Sequence, residues 1–340
     1  MRNYIAGLIV TLATLQPALA CQPPPIFAGG QPPALLTHND YKVLPGWWDS
    51  ASLDTDDSLW LWFRNTIEHV SKDRELAMYN ISQRSTCYSY LLPDEQGGVW
   101  AMRMGSTTLQ HLDARGKEHT LPLNGTIEAA NTWGSRLYLA MVSGSTSQLL
   151  TVAQNEQFQA LSLPANTDPL HIILDAQGNL YYLDRTTHTI AMRTPSGQIL
   201  PVRRIEGFPY FGRTMNDREV WFAVSTSDYP LNDPPPMARW QEPRKEPPVI
   251  AYLARMRNGQ LLEWRVFGAY APVVGMKQSK TGEVFILEAG GIVALYDPRR
   301  ETMQHFTLTP HINATSLGRA NSGALYVSGY GESPFVRISP

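Results

Sequence analysis

Seven times along the chain a small or polar turn gives way to an apolar residue followed by an aromatic one: Leu59-Trp60, Val99-Trp100, Leu137-Tyr138, Leu180-Tyr181, Val220-Trp221, Val284-Phe285 and Leu325-Tyr326. The aromatics follow one another at 40, 38, 43, 40, 64 and 41 residues, so one interval is long and the others agree closely. A period of about 40 to 45 residues filled with short strands is the mark of β-propeller blades, each a four-stranded sheet that buries its faces against its neighbours.

The cleanest repeat predicts the layout of a blade. Leu170 to Leu174 reads as a first strand, Asp175 to Gly178 as a turn, Asn179 to Leu183 as a second strand, and His188 to Arg193 as a third. Pro195 to Gly197 makes another turn, and Gln198 to Arg203 a fourth strand. The expected fold class is therefore all-β, a propeller of seven four-stranded blades over 41–340, with six blades and an irregular N-terminal segment as the alternative. The last repeat is short, and a segment near Leu35 to Leu44 is expected to supply its outer strand and close the ring.

The amino terminus carries a different pattern. A cation at Arg2, an apolar stretch from Tyr4 to Leu15, the helix breaker Pro17 and the small-residue site Ala18-Leu19-Ala20 read as a secretory signal peptide over 1–20, the apolar run being too short to span a bilayer. A Pro-rich leader or tether over 21–40 follows. Cys21, first in the expected mature chain, resembles the lipidated cysteine of the bacterial lipoprotein lipobox. The competing reading is a Cys21–Cys87 disulfide in an oxidising compartment. Both place the protein outside the cytoplasm, in the periplasm or envelope, with the membrane reached only through a lipid on Cys21.

Composition narrows the partners. Twenty-eight basic against thirty acidic side chains leave a net charge of −2, so nothing here attracts a phosphate backbone, and nucleic acid is not expected as a partner. Fifteen tyrosines, nine tryptophans and ten phenylalanines among 26 prolines and 25 glycines favour strands and turns over helices.

Leu170 to Asp184, with its D-x-x-G-N turn, and Gly282 to Glu288 followed by Gly290 to Asp297, resemble blades of the NHL and virginiamycin B lyase-like propellers. The resemblance implies architecture more firmly than activity, because such folds host lyases, lactonase-like enzymes and binding scaffolds.

On a propeller, the loops between second and third strands and those leading into the next blade share one face, where ligands usually bind. The position ten residues before each aromatic gives Glu128 and His171 there; the position three residues after gives Arg103, Asp184 and Glu288. The lyase resemblance implies a magnesium ion held by glutamates and an eliminating histidine. In that reading His171 and Glu288 are catalytic, and Glu128, Asp184 and Glu288 would bind Mg or Ca. The recurrent acid after the aromatic strand is missing from five blades, which favours a binding module without a cofactor. The remaining histidines lack paired ligand spacing, so no zinc site is expected.

The long interval adds a Pro-rich loop at 228–248, between second and third strands of the fifth blade. It carries Met237, Arg239, Trp240 and Arg244, residue types enriched in protein interfaces. The expected function is a monomeric, protein-binding envelope propeller, acting as a scaffold, an assembly factor or a toxin-neutralising immunity-type protein. A metal-assisted lyase or lactonase acting on a small ester or lactone at the channel mouth is the alternative.

Overall fold

The computed structural model describes Leu35–Leu36 and most of the chain from Ser50 to Ile338; residues 1–34, 37–49, 55, 74, 87–88, 134, 154, 176, 207, 217–218, 228–248, 289–290, 308–312, 320–324, 331–334 and 339–340 are outside the description. Cys21, Cys87, Met237, Arg239, Trp240 and Arg244 lie outside the described residues.

Strand β1 (Leu35–Leu36) precedes seven sets of strands. The first blade is β2 (Ser50–Leu53), β3 (Leu59–Phe63), β4 (Thr66–Val70) and β5 (Leu76–Asn80). The second is β6 (Ser89–Pro93), β7 (Val99–Arg103), β8 (Thr108–Leu112) and β9 (Glu118–Pro122). The third is β10 (Thr126–Trp133), β11 (Arg136–Ser143), β12 (Thr146–Val152) and β13 (Phe158–Leu161), and the fourth is β14 (Pro169–Leu174), β15 (Leu180–Asp184), β16 (Thr189–Arg193) and β17 (Ile199–Arg204). The fifth is β18 (Phe208–Asn216), β19 (Val220–Ser227), β20 (Val249–Arg257) and β21 (Gln260–Ala269), and the sixth is β22 (Val273–Gln278), β23 (Val284–Glu288), β24 (Ile292–Asp297) and β25 (Thr302–Thr307). The seventh comprises β26 (Asn313–Arg319), β27 (Leu325–Tyr330) and β28 (Phe335–Ile338), completed by β1.

All seven sheets are four-stranded and antiparallel; six are meanders of consecutive strands, and the seventh takes β1 as its outer strand. The fourth blade matches its expected strands to within a residue or so. Ring closure follows expectation too: Leu35 pairs with Ile338 and Leu36 with Arg337, so the two ends of the propeller share one sheet. Seven complete sheets leave no place for the six-bladed alternative.

The repeating aromatic holds the ring together because strand side chains alternate between faces. In β3, Trp60 and Trp62 point into a cluster with Leu91, Val99, Ala101 and Leu112 of the second blade, while Leu59 and Leu61 pack with Ala51 and Val70. Trp100 and Met102 repeat the arrangement against Ile127, Leu137 and Leu139, and Trp221 against Val273, Val284 and Ile286. Second strands are buried on both faces, which is why they read as continuous apolar runs.

Turn chemistry sets the strand limits. Asp94 Oδ1 accepts the backbone N–H groups of Gln96 and Gly98, both at 2.8 Å, and Asp175 Oδ1 accepts those of Gln177 and Asn179, both at 2.9 Å. Gly178, at φ +79°, occupies the left-handed region that this turn demands. The second carboxylate oxygen ties the turn to the blade: Asp94 Oδ2 meets His111 Nε2 at 2.9 Å, and Asp175 Oδ2 accepts the Tyr181 hydroxyl at 3.1 Å. His111 is stacked on Trp100 and His69 on Trp60, with ring centroids 4.0 Å apart in each case.

Candidate functional site

The opposite end of the ring, bearing the loops between second and third strands and those leading into the next blade, is where the sequence places its candidates. Inner strands of five blades carry an irregularity there, with pairing shifts between Ile127 and Ala129, Leu170 and Ile173, Pro209 and Phe211, Val273 and Gly275, and Ala314 and Ser316. Glu128 and His171 occupy these bulges. A bulge aims its residue out of the regular alternation, and His171, half-buried, has a φ of +51°.

Glu128 belongs to a charged group at the seam between the third and fourth blades. Arg185 Nη2 is 3.9 Å from Glu128 Oε2, and its guanidinium forks onto Asp168, with Nε to Oδ2 and Nη2 to Oδ1 both at 2.9 Å. Burial pushes the Glu128 carboxyl above its ordinary value; the Arg185 charge opposes this and the Asp168 charge adds to it.

Asp184 sits beneath the same group, and its carboxylate is fully engaged. Oδ1 accepts the N–H groups of Asp168 and Thr186, each at 3.0 Å, while Oδ2 accepts the Thr187 hydroxyl at 2.7 Å. The acid that ends the aromatic strand therefore pins two loops to each other. Glu288, in the sixth blade, holds the loop that leads into its own blade. Fully buried, it accepts the N–H groups of Tyr270 at 2.7 Å and Ala271 at 3.1 Å on Oε2. Its Oε1 faces His305 Nε2 at 3.3 Å, with the Tyr270 ring edge-on to His305 at 5.1 Å.

The structure thus joins Glu128 and Asp184 into one network and puts Glu288 in another, two blades on. Arg103 joins neither: it lines a polar cleft at the rim between the first and second blades. Among the described residues no three His, Cys, Asp or Glu side chains form a ready set of metal donors, so Glu128, Asp184 and Glu288 are not gathered about one point. Sequence reasoning missed Asp168, Arg185 and His305. A signal existed for the first two, since each carries a charge within a residue of a strand end on the binding face.

No protein-family model matches the chain, and no curated protein matches it. Solved structures do. The chain is similar to virginiamycin B lyase from Staphylococcus aureus in complex with quinupristin, with a TM-score of 0.65 and 12% identity over 90% of this chain and 98% of that one. The fold is a seven-bladed β-propeller. The WD40 propeller domain of Doa1 gives a TM-score of 0.58 at 15% identity, covering 92% of this chain and 97% of that one. YCF48 bound to D1 peptide gives 0.57 at 11%, covering 94% and 100%. At such identities the shared property is the propeller itself.

Proposed function

We propose that the protein is an exported, monomeric cell-envelope propeller that binds a protein partner, as a scaffold, assembly factor or toxin-neutralising immunity-type protein. The observation that carries this reading is the apolar exposure of the fifth blade. Strands β20 and β21 are nine and ten residues long, against five in most strands of the first two blades. Of seven exposed large apolar side chains among the described residues, Ile250, Leu262 and Val266 lie on these two strands, and Leu200 lies on the neighbouring β17. Val266, 61% exposed, pairs with Tyr252, two residues from Ile250 on the same face. That face is turned towards the fourth blade, where the Arg203 guanidinium lies 5.3 Å from the centre of the Trp264 ring. Exposed apolar groups on neighbouring strands mark contact surfaces, and in the sequence the Pro-rich segment 228–248 directly precedes β20. The peptide bound to YCF48 is consistent with a propeller in such a role.

Capture from envelope extracts tests the reading, with Ile250→Asp/Val266→Asp and a deletion from Pro230 to Pro247 as controls. Loss of a partner held by the native chain supports it; the same partners retained by both variants refute it. Export is tested by fractionation and by labelling with a fatty-acid analogue. Cys21→Ser releases a lipoprotein from the membrane, whereas an unchanged fractionation with a Cys21–Cys87 bridge in peptide maps supports the disulfide.

The alternative, a metal-assisted lyase or lactonase, is favoured by the left-handed backbone of His171, since strain of this kind collects at functional sites. The loop bonds of Asp184 and Glu288 weigh against it. Calorimetry with Mg or Ca on the native chain, His171→Ala and Glu288→Gln decides: ion binding lost in the variants, together with turnover of a lactone or ester, replaces the binding reading.

A further inference from the structure

Six blades end in an outer strand of their own, and five of these edges are short. Strands β5, β9, β13, β17 and β25 are four to six residues long. Two of them are blunted as well, since β9 ends on Pro122 and β17 carries Pro201, and proline donates nothing to a ladder. The outer strand of the fifth blade differs. β21 pairs with β20 from Gln260 to Ala269, contains no proline, and has no strand on its other edge among the described residues. The pairing shift between Arg255 and Met256 falls near its start, so Glu263 to Ala269 stay in regular register with Arg255 to Val249. Seven such residues present about 23 Å of edge, with outward backbone N–H and C=O groups that the sheet does not satisfy.

The flanking side chains define what kind of strand fits. Towards the sixth blade the charges are already paired: Glu263 meets Arg255 at 3.3 Å, and Arg265 meets Glu263 at 3.3 Å and Glu301 at 2.6 Å. Towards the fourth blade stand Trp264 and Val266, with Ile250 on the adjoining strand. Arg203 of β17 lies 5.3 Å from the centre of the Trp264 ring, is exposed, and makes no ion pair among the described residues. One side of the edge is thus electrically complete, while the other offers apolar surface and an unpaired cation.

We propose that β21 accepts an extended segment of a protein partner as a fifth strand of the fifth blade, with apolar side chains against Val266 and Ile250 and an acid against Arg203. The inference rests on the reading that this blade holds a protein partner, and specifies how. Backbone pairing supplies affinity and alternate side chains supply specificity. A helix uses its backbone groups internally and would leave the edge unpaired. The chain's own segment 228–248 holds seven prolines, which do not continue a ladder. A second copy of β21 brings only Glu263 as an acid, and that is already paired.

Calorimetry and backbone amide exchange on the purified chain with a synthetic heptapeptide, Val-Thr-Asp-Thr-Val-Thr-Val with blocked ends, test this. In the free chain every second amide from Glu263 to Ala269 exchanges fast, and the peptide slows those amides about tenfold or more. Methylating one of the two alternate sets of peptide nitrogens weakens binding about tenfold or more, and methylating the other set does not. Arg203→Ala weakens binding about fivefold but leaves the peptide with Asn in place of Asp unaffected. Val266→Asp weakens both; should that variant misfold, the methylated peptides carry the test. The proposal fails if the heptapeptide does not bind at millimolar concentration, if neither methylated set matters, if all β21 amides are protected in the free chain, or if the chain alone sediments as a dimer. Should the peptide fail while Ile250→Asp/Val266→Asp still abolishes capture of a partner from envelope extracts, this inference falls and the wider reading stands. Should the peptide bind as expected while capture survives both substitutions, the edge is a strand acceptor and the wider reading falls.

Discussion

Asp184 is the residue whose role separates the two readings of this propeller most sharply. As a metal ligand or binding group, its removal would abolish ligand binding and leave stability nearly intact. As the clasp seen here, it holds the N–H groups of Asp168 and Thr186 and the Thr187 hydroxyl. Asp184→Ala strips three charge-assisted hydrogen bonds at a residue 6% exposed and leaves two backbone donors without their acceptor. Each such bond contributes about 1.5–3 kcal/mol, but the loop is half-buried and water replaces part of the loss, so the expected cost is roughly 2–4 kcal/mol. For a domain of this size that corresponds to a fall in Tm of roughly 4–8 °C. Asp184→Asn keeps an oxygen for the two N–H groups, and the Thr187 hydroxyl can turn to accept from the new amide, so about 1 kcal/mol is expected. Calorimetric melting of the native chain and both variants reads this directly. A Tm within a degree of native for Asp184→Ala, together with lost ligand or partner binding, refutes the clasp and restores Asp184 to the functional site.

The acid side of the stability profile rests partly on Asp94. Burial raises its carboxyl, but the His111 bond and the N–H groups of Gln96 and Gly98 outweigh that and hold it below the ordinary 3.8. A depressed acid contributes stability above its unfolded value, and this is lost as pH falls through the folded one. Asp94→Asn should flatten the loss of stability in urea titrations below about pH 4. Glu128 has the opposite sign: its raised carboxyl makes the charged form unfavourable, so Glu128→Gln should match or exceed native stability at neutral pH, with the gain vanishing at acid pH; a marked loss at neutral pH would show that the Arg185 contact dominates. Truncation through Leu36 removes the strand paired with Ile338 and Arg337, and should lower Tm and speed proteolysis of the last blade; unchanged melting would mean that the ring does not depend on this closure.

The period of the aromatics determined the architecture, because each blade is a local unit: turn residues such as Asp175 and Gly178 set their own strands, and a strand with two apolar faces implies a neighbour on each side. The closing strand was legible for the same reason, the last repeat being short by one strand. Residues facing the ring end were also found at the right end of the blade, since strand alternation carries position. Only the folded ring decided what those residues do. The bulges at Glu128 and His171 show only in the pairing of the inner strands with their neighbours. Whether Asp184 and Glu288 face a ligand or the backbone of an adjoining loop depends on N–H groups that lie sixteen to eighteen residues away in the chain. Arg185 and Asp168 meet only because the loop leading into the blade folds back over the second-strand turn, and Arg84, in the segment leading into the second blade, lines one cleft with Arg103 at the end of that blade's second strand. Side-chain partners are chosen by how the loops leading into the blades pack on strand ends, at distances along the chain where sequence spacing carries no register.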